Sequence, residues 1–600
     1  MAGWAFIMDA SALTRRTRQT LAAGCLLGLL LFADGCRKPP RRSHSAENTT
    51  EYASQLQAIV TAHRLPGMRW PSFGEYGGPV AAFYEARDYE VAWTRDAQPT
   101  PQAIALQQAF FHADARGLMP QDYDAALWTD RNARLKDATG HPDPEAIAQF
   151  DVAMTLCAMR YASNLHMGRV NPSHFNFDID VSSKKIDLVD FVGEHLVDSP
   201  EVAALLATLE PDSEEYRKTE AALQRYLGLA RQQAASPVLR APLPVPEKAI
   251  AVGEPYAAAT ALAARLQLEG DLPADTPANL AAAYDDQLAA AVTRYQHRHG
   301  LPEDGKLSPA TVRSLNVPLT MRVLQLADAL ERWRWLPSEY LHPRLLVNLP
   351  EFQLHTYNAQ GQPEFSMRVV AGQVKGDHET PVLARMMRYV VFRPYWNVPV
   401  SIVKKELAPH IAASGIGYLA SKNFEVTDRK GNVLPSFTAS QVVRAQVMVR
   451  ERPGPTNSLG LVKFMFPNQF SVYMHSTPEM RLFARTRRDY SHGCVRLEKA
   501  EDLAVWILQQ QNDRDGQPWD QDKVHDAMNS GPDNHTVALK TPLPVVLFYL
   551  TGFVESDGEV HFFDDIYGYD AALNRVLSKG PPYPTRPEPV VSKTKDEDTV

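Results

Sequence analysis

The chain has 600 residues, 44% of them hydrophobic, with a formal net charge of -8. That length exceeds one compact core, so two to four domains are expected. No long basic run occurs, which argues against a nucleic-acid partner, and 45 prolines point to many loops and linkers. The four cysteines are Cys25, Cys36, Cys157 and Cys494. Only two lie in the body of the chain, far apart, so a disulfide framework is not expected. No Cys/His spacing suggests a metal or other cofactor.

The N-terminus reads as an export signal. Arg15, Arg16 and Arg18 form a basic region, and the apolar run Leu21 to Ala33 is too short to span a bilayer comfortably. Gly35-Cys36 after that run is similar to a lipoprotein cleavage site, with Cys36 acylated. Asp34 and Ala33 depart from the usual pattern and leave a plain signal or anchor open. The remainder is expected outside the cytoplasm, in the periplasm and tethered to the membrane.

Residues 37–54 read as a polar linker and 55–235 as a mostly helical domain. Ile147, Phe150, Met154, Cys157 and Tyr161 share a helical face, which makes Cys157 a small buried hydrophobe rather than a reactive thiol. Ser236 to Pro246 is a Pro-rich linker that should not sustain a helix. A small unit at 251–317 places Leu288, Val292 and Tyr295 on one helical face. It restarts at Ser308 as N-cap, with Pro309 in the first turn. Residues 318–342 form a connecting helix. From Arg344 the period becomes two, with strand-like runs at 345–349, 352–356, 365–371, 387–392, 442–449, 462–466 and 470–474. A mixed insertion occupies 404–450, and 576–600 reads as a disordered tail.

The chemistry-bearing block is Tyr473-Met-His475-Ser476 followed by Ser491-His492-Gly493-Cys494-Val-Arg496. A thiolate, not a thiol, is the nucleophile, so Cys494 needs a base within reach. His475 and His492 are the candidates. Gly493 allows a sharp turn, and the amides around Gly493 and Cys494 are candidate oxyanion donors. By themselves these residues leave open a buried structural cysteine beside a chance histidine.

The block resembles the YkuD-type L,D-transpeptidase signature, a His followed some fifteen residues later by Ser-His-Gly-Cys and Arg. The likeness extends to Asn397-Val-Pro, Arg452-Pro-Gly-Pro455, Asn457, Leu459 to Phe464 and Asp564 to Tyr569, as in the large YcbB-like branch of that family. The segment Tyr295-Gln296, Gly300-Leu301, Asp304-Gly305, Leu307 and Leu315-Asn316 resembles a small helical peptidoglycan-binding domain. The fold implied is multidomain α+β: a helical scaffold domain, that small helical domain, and a β-rich catalytic domain at 343–575 carrying 404–450 as a capping subdomain.

The resemblance implies that Cys494 is the acyl-accepting nucleophile and His475 its base, oriented by main chain near Ser476. His492, Gly493 and Cys494 would line the oxyanion side. Arg496 would hold substrate or brace the loop, Ser491 would shape the loop, and Trp396 and Asn397 would line the cleft, with packing an equal role for Trp396. Ser476 carries no independent catalytic role. The implied reaction is transfer of a peptidoglycan tetrapeptide stem through a thioester to a second stem, giving a 3→3 link, with the capping element as a lid. Carbapenem β-lactams would acylate the same cysteine, and peptidoglycan synthases are expected partners. Rivals within the chemistry are an L,D-carboxypeptidase, a lipoprotein-attaching transpeptidase and an endopeptidase. Rivals outside it are a Cys-His-Arg sortase and a non-catalytic peptidoglycan-binding scaffold.

Overall fold

The computed structural model describes residues 49–276, 283–376, 378–509, 511–513 and 515–584. The export signal with Cys36, the linker up to 48 and the tail beyond 584 lie outside the described residues. Among the described residues, no helix is long and apolar enough to cross a membrane.

The N-terminal core is organised by helix Pro144–Met167, started by the Asp143 cap and buried over most of its length. Asp151 on this helix is fully buried. Its carboxylate accepts from the Ala92 and Trp93 amides and from the Tyr84 hydroxyl, so the buried charge is satisfied by donors. This pins the approach to the short hairpin β1 (Thr94–Arg95) and β2 (Gln98–Pro99). Cys157 sits in this core with no exposed surface, and burial pushes its thiol up to about 12.

Helix Glu214–Ala235 does not share that core. Its buried residues, Tyr216, Leu223, Tyr226 and Leu227, join the connecting helix Leu319–Trp333 and the catalytic domain in one cluster. The Pro-rich linker departs from expectation by one helical turn, Pro237–Arg240. Ser236 caps it and Pro237 stands at its first position, where a missing N–H costs nothing. The small domain packs Leu288, Val292 and Tyr295 of helix Asp286–Arg298 against Leu262 and Leu266 of helix Ala259–Glu269. Ser308 caps the following helix, with Pro309 at its start.

The catalytic domain is a closed barrel. In chain order its strands are β3 (Leu345–Asn348), β4 (Gln353–Tyr357), β5 (Pro363–Gly372) and β6 (Leu383–Phe392). The capping strands β7 (Trp396–Asn397), β8 (Phe424–Thr427) and β9 (Met448–Glu451) intervene. The barrel resumes with β10 (Val462–Met465), β11 (Met474–His475), β12 (Asp489–Ser491), β13 (Val495–Leu497) and β14 (His535–Phe548). The ring runs β5-β13-β11-β10-β6-β14-β3-β4 and closes because β4 also pairs with β5, which leaves no open edge within the ring. A last hairpin, β15 (Gly552–Val554) and β16 (Val560–Phe562), turns back toward the small domain.

The cap is a separate layer with its own core, including Val398, Ile402, Leu407, Ile411, Leu419, Val426 and Val449. Its sheet order is β7-β9-β8, so it begins at Trp396, earlier than the expected boundary at 404. Trp396 pairs with Glu451, and this closes the neck of the insertion. Part of the expected strand at 442–449 is helical: a capping box of Thr438 and Gln441 starts helix Ala439–Val443, and the strand begins only at Met448.

The expected disordered tail from 576 is ordered as far as 584. Helix Tyr569–Leu577 ends, Gly580 passes against the Trp70 ring, and the buried Tyr583 hydroxyl donates to Asp122 at 2.5 Å. Residues 580–583 thereby pack on the N-terminal domain.

Candidate active site

Strand alternation places the site. In β10 to β13, Val462, Phe464, Met474, Val495 and Leu497 point into the barrel core with essentially no exposure. Their neighbours therefore point the other way. Lys463 is registered opposite His475, and His475 opposite Arg496. One residue earlier, the Val495 amide donates to the Tyr473 carbonyl, which sets Cys494 beside Tyr473. Lys463, Tyr473, His475, Cys494 and Arg496 thus occupy one outward face, with Cys494, the loop residue just before β13, diagonal to His475 on β11. Tyr473, His475, Cys494 and Arg496 of this face line a cleft of about 1340 Å³ between barrel and cap.

His475 is buried, and its Nδ1 lies 2.6 Å from the Ser476 carbonyl. A carbonyl only accepts, so the network assigns the ring proton to Nδ1 and leaves Nε2 as the basic nitrogen. Burial, then the Arg496 charge, push the imidazole pKa down to about 3. Ser476 fixes the ring's surroundings: its Oγ accepts from the Leu461 and Val462 amides and donates to the Leu459 carbonyl.

Cys494 is half-buried. Burial pushes its thiol up to about 11, against the opposing pull of the Tyr473 amide and hydroxyl, Lys463 and Arg496. At neutral pH the resting state is therefore a neutral thiol beside a neutral imidazole, not the ionised sulfur expected from the spacing alone.

The loop that carries the cysteine is tied at both ends. Ser491 Oγ donates to the Cys494 carbonyl at 2.6 Å and accepts the Gly493 amide at 3.2 Å. Gly493 has φ +117°, which favours glycine although a Cβ would meet nothing closer than 3.8 Å. Because its amide is held by Ser491, Gly493 is not the oxyanion donor the spacing suggested; its role is the turn. Thr380 Oγ1 donates to the Gly493 carbonyl and accepts the Gly372 amide, and the Tyr567 hydroxyl donates to the Gly372 carbonyl. The Asp564 to Tyr569 stretch thus acts on the site through β5.

His492 turns away from the sulfur toward the cap, with Nε2 2.6 Å from Glu406 Oε1. Arg496 lines the cleft, and its buried Nε has no hydrogen-bond partner. Trp396 both lines the cleft and packs on Phe424, with ring centroids 6.4 Å apart. Asn397 does not line the cleft: it is exposed on β7 opposite Arg450, because strand alternation sends it to the other side from Trp396. Tyr473 and Lys463 were missed as site residues. The signal was present in the alternation, since Tyr473 lies two before His475 and Lys463 sits between core-facing Val462 and Phe464. Glu406 carried no local signal, because its partner lies 86 positions away.

The closed barrel thus presents a cysteine and a histidine on one outward face beneath a separate cap. In comparison with known proteins, residues 342–536 match YkuD, the L,D-transpeptidase catalytic domain. Residues 78–223 match the scaffold domain and 258–315 the "Putative peptidoglycan binding domain". A Haemophilus influenzae protein named "Putative L,D-transpeptidase" is 30% identical over 252 residues, which is 42% of this chain and 49% of that protein. The chain carries a YkuD L,D-transpeptidase catalytic domain together with a scaffold domain and a peptidoglycan-binding domain.

Proposed function

We propose that the protein is a cysteine-dependent L,D-transpeptidase that forms 3→3 cross-links between peptidoglycan stems in the periplasm. The observation that carries this reading is the shared outward face of His475 and Cys494, lining a capped cleft. Both matched domains point to peptidoglycan as what it acts on.

The donor stem enters the cleft with its terminal carboxylate drawn to the Arg496 cation that lines it. Cys494 Sγ attacks the carbonyl of the third residue as its proton passes to His475 Nε2. Attack and proton transfer run together, because neither group ionises alone near neutral pH. The Cys494 amide, rather than that of Gly493, faces the developing oxyanion. The C–N bond to the terminal D-alanine breaks, and its amine leaves with the proton from His475. The side-chain amine of a second stem then attacks the thioester, His475 takes the amine's proton, the C–S bond breaks, and that proton returns to Cys494 Sγ.

The test is intact mass of the protein after carbapenem exposure, together with the muropeptide profile of cells expressing it. A single adduct and 3→3 dimers are expected from the parent. Cys494→Ala should lose the adduct and reduce dimers about 10⁴-fold or more. Dimers that persist in Cys494→Ala would overturn the assignment.

A further inference from the structure

Where helix Asp286–Arg298 of the small domain meets hairpin β15–β16, three metal-ligating side chains from two domains converge: His297, Glu559 and His561. One ligand atom from each lies within 4.8 Å of the others. His561 Nε2 stands 3.2 Å from Glu559 Oε2, and His297 Nε2 stands 3.9 Å from the same oxygen.

Two further observations single out this cluster. The His561 side chain is only 7% exposed, yet its Nε2 has no hydrogen-bond partner, although it is aimed at the shared carboxylate. Its polar neighbour Glu559 Oε2, at 3.2 Å, makes an ion-pair contact without a well-formed hydrogen bond, so the ring nitrogen has a lone pair or proton left for a ligand. On the other side, His297 Nδ1 is 3.0 Å from Glu303 Oε1. That bond fixes Nδ1 as the protonated nitrogen and turns the Nε2 lone pair toward Glu559 and His561. A carboxylate behind the histidine is the usual way of orienting and strengthening an imidazole ligand. The nearby Glu351, His355 and Glu555 lack this feature, since His355 Nε2 is already held by Glu351 at 3.1 Å.

We propose that His297, Glu559 and His561 bind a divalent transition-metal ion of the Zn²⁺ class, pinning the peptidoglycan-binding domain to the catalytic domain. Two imidazoles and a carboxylate suit that class, with water at the fourth position. A tetrahedral Zn²⁺ site places neighbouring ligand atoms about 3.4 Å apart. Closing the cluster to that size takes a small movement of the His297–Glu303 pair, whose side chains are 54% and 55% exposed. The surrounding frame is already rigid. Arg298 pairs with Asp271 and donates to the Val560 carbonyl at 3.1 Å, and Gly300 lies against Phe563.

The test uses the full chain carrying Cys494→Ala, so that the thiol does not compete, stripped with chelator and titrated with Zn²⁺ and separately with Co²⁺. One equivalent of Zn²⁺ is expected to bind and raise the melting temperature, and Co²⁺ should give visible d–d bands. His297→Gln, at an exposed position, and Glu559→Gln, at a half-buried one, should each weaken binding at least about tenfold while the metal-free melting temperature stays near that of the parent. Glu303→Gln should weaken it about 10- to 100-fold by loosening His297. No stoichiometric binding, or equal binding by parent, His297→Gln and Glu559→Gln, would overturn the site and leave an adventitious ion only.

Discussion

Cys494 and His475 rest as neutral groups, and each shift has a local cause. Burial beneath the cap raises the thiol to about 11, and burial beside Arg496 lowers the imidazole to about 3. Between those values the free enzyme holds little thiolate. Iodoacetamide alkylation of Cys494 is therefore expected to rise about tenfold per pH unit from 6 to 10, following the thiolate fraction. A rate that is flat across that range would show a preformed thiolate–imidazolium pair instead. Arg496 is read by the same logic. Its Nε is unpaired in the cleft wall, which leaves a donor for a ligand and favours the proposed substrate-holding role over bracing the loop. Arg496→Lys should raise KM for a tetrapeptide stem while changing kcat little; an equal loss in both would assign it to the chemical step.

At the scale of elements, the cap sets one bent helical run, through Val400–Ile402, Val403–Leu407 and Ala408–Ser414, and the short helices Gly417–Ser421 and Ala439–Val443 against a three-stranded sheet. It touches the catalytic loop through Glu406 and His492. Their side chains are 50% and 34% exposed, so the contact is a weak one, worth about 0.2–1 kcal/mol. A weak tie suits an element that must open for the acceptor and close against water. Glu406→Gln should raise the ratio of hydrolysed to cross-linked product by about two- to fivefold, measured by chromatography of muropeptides. An unchanged ratio would remove the lid role from this contact.

Across the whole molecule, helix Leu319–Trp333 is the pillar. Glu331 is fully buried and accepts from the Arg169 and Val170 amides and from the Arg169 guanidinium, joining the N-terminal domain to the helix. Arg332 pairs with Asp570 at 2.6 Å, joining the same helix to the C-terminal segment. Removing one partner of such a pair strands a buried charge. Glu331→Gln is expected to cost about 3–5 kcal/mol in denaturant unfolding. A loss below about 1 kcal/mol would mean that the domains are held by apolar burial alone.

The order of domains, the buried face of Ile147 to Tyr161, the Ser308 cap and the Cys494 loop were legible in the sequence, because each rests on local spacing. Strand alternation around His475 and Cys494 already set which side chains share a face. What alternation does not give is register between strands distant in the chain, and so Lys463 and Tyr473 were not placed beside the sulfur. The Gly493 amide, the exposure of Asn397 and the packing of Tyr583 on Asp122 were misjudged for a related reason, since each depends on a neighbour supplied by folding. Sequence determined the chemical groups and their local geometry. Tertiary structure alone decided their protonation and their partners, because burial and long-range contact set both.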